Sequence, residues 1–166
     1  RPSGGDNMIY LILAPIAIAL FAVGGLVAWF YVSFIRLTTE ELAPGIYAIF
    51  GGGGNSLVVR GEADILLFDT KFPPMSRWLR RWIAQNVGAP VTMIINSHYH
   101  FDHTQGNVLY ADATIYAHTA VPQFMVDYDE KWWTRNARYL PTAKNLVTEQ
   151  LSVEMGSQGS IDIHPV

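Results

Sequence analysis

The strongest constraint on this chain is a run with no charged side chain from Ile9 to Ile35, 27 residues in a chain of 166. As a helix such a run rises about 40 Å, enough to cross a hydrocarbon core of about 30 Å with some tilt. Trp29, Phe30 and Tyr31 lie near its C-terminal end and Arg36 follows, an order that suits a membrane interface. Pro15 and the pair Gly24-Gly25 are tolerated in membrane helices. A signal peptide is the rival reading, but its apolar core should span about 7–15 residues and lead to a small-residue cleavage site. The run is longer than that, and no such site follows Phe30. Burial as a core helix would require a protein interior that accepts every face of the run. The expectation is a single-pass N-terminal anchor with the lipid bilayer as partner through residues 9–35. Residues 1–8 then form a leader or upstream segment, and Met8 is an alternative start. Arg36 alone does not set which side of the membrane the rest occupies.

Beyond residue 36 the chain carries 9 Lys+Arg against 13 Asp+Glu, a net charge of −4. That balance argues against a nucleic-acid partner, which calls for a basic face. The chain has no cysteine, so thiolate metal sites and disulfide frameworks are excluded within it.

Residues 36–44 read as a linker. Ile46–Phe50, Ser56–Val59 and Ile65–Phe68 read as short strands, the last two a hairpin, with Gly51-Gly52-Gly53-Gly54-Asn55 as a turn. Met75–Val87 has helical spacing, with Trp78, Leu79, Trp82 and Ile83 on one apolar face. Its arginines, Arg77, Arg80 and Arg81, read as a solvated face. Val91–Ile95 is a buried strand that runs towards His98. Ala113–Ala117 reads as a strand and Thr119–Asp127 as a helix with Pro122 in its first turn. Asp127–Lys144 has no clean period. Leu151–Glu154 and Ser160–His164 read as a hairpin across Met155–Gly159. This order suits a mixed sheet better than a purely parallel one.

The chemistry is concentrated in Asn96-Ser97-His98-Tyr99-His100-Phe101-Asp102-His103-Thr104-Gln105-Gly106-Asn107. At a strand end, residues two apart face one side. His98 and His100 can therefore aim two imidazoles at one metal ion, while Asp102 and His103, where the chain turns, can serve a second. Imidazole with carboxylate suits zinc, with iron or manganese as the lesser options. Two ions about 3.5–4 Å apart can share a hydroxide, a strong nucleophile at neutral pH.

This segment resembles the His-x-His-x-Asp-His signature of the metallo-β-lactamase-fold superfamily. Gly54-Asn55-Ser56-Leu57-Val58-Val59, Ile65-Leu66-Leu67-Phe68-Asp69-Thr70 and Tyr116-Ala117-His118 are similar to other elements of that family in the same order. Lys71 stands where the family usually has glycine. The resemblance implies an α+β, four-layer αββα sandwich over residues 45–166, of which this chain would supply the N-terminal half and lack the C-terminal part. It implies His98 and His100 as ligands of a first metal and Asp102 and His103 as ligands of a second. Asp102 would also orient or deprotonate the attacking water, and Asp69 would be a buried carboxylate that holds the metal loop. His118 falls at a helix start outside the site. His164 lies in a strand that precedes a later family motif, and Trp132 and Trp133 read as packing residues. The function implied is a metal-dependent hydrolase whose zinc-bound hydroxide attacks an ester, amide, lactam or thioester carbonyl of a small-molecule substrate. Two zinc ions are expected in the full-length protein, with iron or manganese as alternatives. The same fold also hosts iron-dependent persulfide oxidation and non-catalytic binding relatives. With two ligands per ion, the chain by itself is expected to bind zinc weakly and to hydrolyse nothing efficiently.

Overall fold

A computed structural model describes residues 4–148, 151–154 and 160–164. The chain divides into two units, residues 1–36 and 37–166. In the first, helix α1 (Gly4–Phe30) passes into one π-helical turn, Tyr31–Ile35. The Arg36 amide closes that turn by donating to the Tyr31 carbonyl at 2.9 Å. The segment Ile9–Ser33 has a mean hydropathy of 2.6 and is long and apolar enough to cross a membrane, a test that a signal sequence also passes.

The second unit is built on a seven-stranded sheet whose strands lie in chain order: β1 (Thr38–Ala43), β2 (Ile46–Phe50), β3 (Ser56–Arg60), β4 (Ile65–Phe68), β5 (Val91–Asn96), β6 (Thr114–His118) and β7 (Leu146–Val147). Pairing is antiparallel from β1 to β4 and parallel from β4 to β7, so the sheet is mixed as the element order predicts. Helix α2 (Met75–Asn86) crosses from β4 to β5, and α4 (Val121–Tyr128) and α5 (Glu130–Asn136) lie between β6 and β7. A separate antiparallel pair, β8 (Leu151–Glu154) with β9 (Ser160–Ile163), completes the unit. The predicted turn at 155–159 lies outside the described residues.

The central strands β3 to β5 are covered on both faces, and alternate residues of one strand go to opposite sides. Val58, Ile65, Leu67 and Ile94 meet Leu79 and Ile83 of α2, Met125 of α4 and Trp133 of α5. Their neighbours Val59, Leu66 and Ile95 meet Val153 of β8, with Ile161 of β9 packed alongside. The result is a helical layer, the large sheet and a two-stranded second sheet. Each fully buried Leu or Ile contributes about 1.5–3 kcal/mol through area removed from water.

Two sequence expectations are corrected here. Residues 38–43, read as linker, form strand β1 paired with β2. Every residue of β1 is exposed, so it has no apolar alternation to betray it, and backbone hydrogen bonding alone makes it a strand. On α2 the buried stripe is Met75, Leu79 and Ile83, at four-residue spacing, whereas Trp78 is exposed.

Candidate metal centre

Strands β4, β5 and β6 run parallel, so their C-terminal ends meet at one edge of the sheet. Loops outside such ends are where α/β sheets place ligands. Asp69 follows β4, and Ser97 to His100 follow β5. The turn between β2 and β3 arrives at the same edge, because β3 is antiparallel to β4 and Leu57 pairs with Phe68.

Strand β5 stops at Asn96, earlier than strand parity for His98 and His100 requires. Instead the Ser97 amide donates to Asp69 Oδ1 at 2.8 Å, which bends the chain, and His100 stands extended before a four-residue helical turn, α3 (Phe101–Thr104). The imidazoles still converge: ring centres are 4.8 Å apart for His98 and His100, and 4.0 Å for His98 and His103. Asp102 Oδ2 lies 3.7 Å from His103 Nε2. His100 packs against Tyr99 and Tyr128, and Phe72 meets Phe101 edge-on at 5.3 Å, so aromatic rings flank the metal loop.

Asp69, His98 and His103 bring ligand-type atoms within 4.8 Å of one another. The carboxylate, however, is already committed. Oδ1 accepts from the Ser97 amide, and Oδ2 accepts from the Ser97 hydroxyl at 2.6 Å and lies 2.8 Å from His103 Nδ1. A carboxylate only accepts, so His103 carries its proton on Nδ1. The Ser97 hydroxyl spends its proton on Asp69, so at 2.9 Å from His98 Nδ1 it accepts from that nitrogen. One buried carboxylate thus sets both tautomers, directly for His103 and through Ser97 for His98, and leaves both Nε2 lone pairs free. Imidazoles oriented by a carboxylate partner are the usual support of a metal site. Burial, reinforced by the neighbouring His103, holds the His98 imidazolium below its ordinary pKa, which favours the neutral, ligating form. The donor set therefore fits a metal ion, with Asp69 behind the histidines and Asp102 beside them. Ser97 was missed as a functional residue by sequence reasoning; its place directly before the first histidine is the only signal for it.

The metal loop is also tied down from behind. The Thr70 amide donates to the His103 carbonyl and the Gly106 amide to the Lys71 carbonyl, both at 2.8 Å. Asn96 and Asn107 exchange side-chain hydrogen bonds, and the Thr70 hydroxyl donates to Asn107 Oδ1 at 2.9 Å. Gln105 Nε2 donates to Asp129 Oδ2 at 2.7 Å, which joins the loop to the start of α5. The other histidines stay apart. His118 Nδ1 accepts from the Ala120 amide at the start of α4, and His164 is exposed after β9.

Lys71 is fully buried. Burial pushes its ammonium down to about 8, against the attraction of Asp69 and Asp102, while an unfolded lysine titrates near 10.4. Between those values the unfolded chain binds the proton and the native state releases it, so stability rises with pH. We expect urea unfolding to show a gain of about 2–3 kcal/mol from pH 7.5 to pH 10, absent in Lys71→Met. Tyr110, whose phenol burial raises well above its ordinary value, opposes the trend only above about pH 10. A flat profile shared by both proteins would contradict this.

The sequence model of the metallo-beta-lactamase superfamily matches residues 49–165. No curated protein matches the chain.

Proposed function

The chain belongs to the metallo-beta-lactamase superfamily, and from that membership we propose that it is a zinc-dependent hydrolase acting through His98, His100, Asp102 and His103. Metal-dependent, hydrolase-like chemistry is what the superfamily suggests. The observation that carries the finer reading is the relay from Asp69, which leaves the Nε2 lone pairs of His98 and His103 free and adjacent, next to the Asp102 carboxylate. When bound, zinc supplies Lewis acidity and lowers the pKa of water. Asp102, whose Oδ2 lies 3.7 Å from His103 Nε2, would orient a water held at this site and accept its proton. Asp69 fixes the tautomer and aim of His103 directly, and Ser97, held by Asp69, does the same for His98. The Tyr99 and Tyr128 rings pack against the His100 imidazole. The substrates are small molecules with an ester, amide, lactam or thioester carbonyl. Residues 9–35 act as a single-pass anchor that holds residues 45–166 at a membrane surface.

Among the described residues this reading assigns each ion two of the roughly three protein ligands that a catalytic zinc takes. We expect titration against a chromophoric chelator to give a roughly micromolar dissociation constant, weaker than a four-ligand site. His98→Ala should abolish binding at the first position and His103→Ala at the second, each lowering the zinc stoichiometry by one. Zinc uptake unchanged in both variants would overturn the assignment.

A further inference from the structure

The turn that covers the metal residues is built almost entirely of glycine. Gly51, Gly52 and Gly53 all have positive φ, at 82°, 66° and 87°. A Cβ on Gly54 would lie 2.2 Å from His103 Nε2, against the imidazole ring, and one on Gly53 would lie 2.8 Å from the Asp102 Cβ. The turn therefore rests directly on the two residues assigned to the second metal. A run of glycines loses more backbone entropy on ordering than any other sequence, and it offers no side chain to hold it there.

The hold comes from Lys71. Its Nζ donates to the carbonyls of Gly54 at 2.5 Å, Gly51 at 2.7 Å and Ile49 at 3.3 Å. An ammonium has three donors, and all three are spent on this turn and the strand that enters it. The backbone at Lys71 has φ 60°, a left-handed conformation that costs a non-glycine residue about 1 kcal/mol or more. Glycine would avoid both that cost and the desolvation of a buried charge. Against these two costs lysine supplies three hydrogen bonds to the turn that glycine cannot make.

We propose that Lys71 is a positioning residue, whose buried ammonium clamps the Gly51–Gly54 turn onto Asp102 and His103 and so fixes the second metal position. The metal half of this statement rests on the zinc reading above; the clamp itself does not. The test is Lys71→Gly in the full chain, because glycine suits the left-handed backbone and leaves the fold intact. Lys71→Met is a second variant that keeps the bulk without the charge. Global stability of Lys71→Gly, from urea unfolding, should be equal to or above wild type. Amide exchange at residues 51–55, followed on the metal-free protein, should accelerate by about tenfold or more in both variants. Zinc affinity at the second position, that of Asp102 and His103, should fall about tenfold. Butylammonium, which matches the side chain removed in Lys71→Gly, should slow exchange and recover affinity, whereas tetramethylammonium should not.

Unchanged exchange at 51–55 in both variants overturns the clamp. Faster exchange with unchanged zinc affinity overturns the positioning role. If wild type takes up no zinc, the hydrolase reading falls and the positioning role with it, while exchange at 51–55 still decides the clamp.

Discussion

Asp69→Asn is expected to lower zinc affinity about 10–100-fold, the usual cost of removing a carboxylate behind metal-bound histidines. The replacement is nearly the same shape, so the effect comes from protons. Asp69 accepts three hydrogen bonds, from the Ser97 amide, the Ser97 hydroxyl and His103 Nδ1. An asparagine offers one acceptor oxygen and one amino group. With the oxygen turned to the Ser97 amide, the amino group faces the Ser97 hydroxyl and His103 Nδ1. His103 then accepts on Nδ1 and carries its proton on Nε2, the nitrogen that has to face the metal. The Ser97 hydroxyl no longer has to accept from His98, so the second tautomer is released too. With the oxygen turned the other way, the amino group meets the Ser97 N–H donor to donor, which costs about 1–3 kcal/mol as an unsatisfied buried group. Nitrogen NMR of the imidazoles should show His103 protonated on Nδ1 in the metal-free wild type and on Nε2 in Asp69→Asn. An unaltered His103 tautomer together with unaltered zinc affinity would contradict the relay.

How much of this was readable in the chain depends on how far each interaction reaches. The histidines and Asp102 fall within six consecutive positions, so the pattern itself announces them. The strands around them were legible because β3, β4 and β5 bury both faces and read as unbroken apolar runs. Strand β1 was not legible, since Thr38 to Ala43 bury nothing and are held only by hydrogen bonding to β2. Asp69 could be suspected from its place after a buried strand. Its partner Ser97 lies 28 positions away, and no local period links the two. Lys71 was visible as a departure from the family's glycine, but its reach back to Gly54, 17 positions earlier, exists only in the folded chain. Residues whose role is set by local pattern can be read; residues whose role is set by a contact across loops cannot.

The same distinction separates two glycine substitutions that look alike on paper. Gly106→Ala is expected to destabilise residues 37–166 by about 3 kcal/mol or more, while Gly88→Ala should cost about 1 kcal/mol. Gly88 has φ 71° and nothing within 4 Å of an added Cβ, so alanine there meets only backbone strain. At Gly106 an added Cβ would sit 2.0 Å from the Thr70 carbonyl oxygen and 2.8 Å from the Ser76 Cβ. The nearest of these atoms is backbone, and no rotamer can relieve it. Nor can the chain slide aside cheaply, because the Gly106 amide donates to the Lys71 carbonyl and the Thr70 amide to the His103 carbonyl. Separating the two segments enough to seat a methyl group breaks both bonds, at about 1 kcal/mol each, and adds overpacking of about 1–3 kcal/mol. It also pulls His103 away from Asp69, so zinc binding should be lost in whatever fraction still folds. Urea unfolding of the two variants beside wild type measures the contrast. Equal losses at the two positions would show that the metal loop is not zipped to the turn after β4 as closely as these distances state.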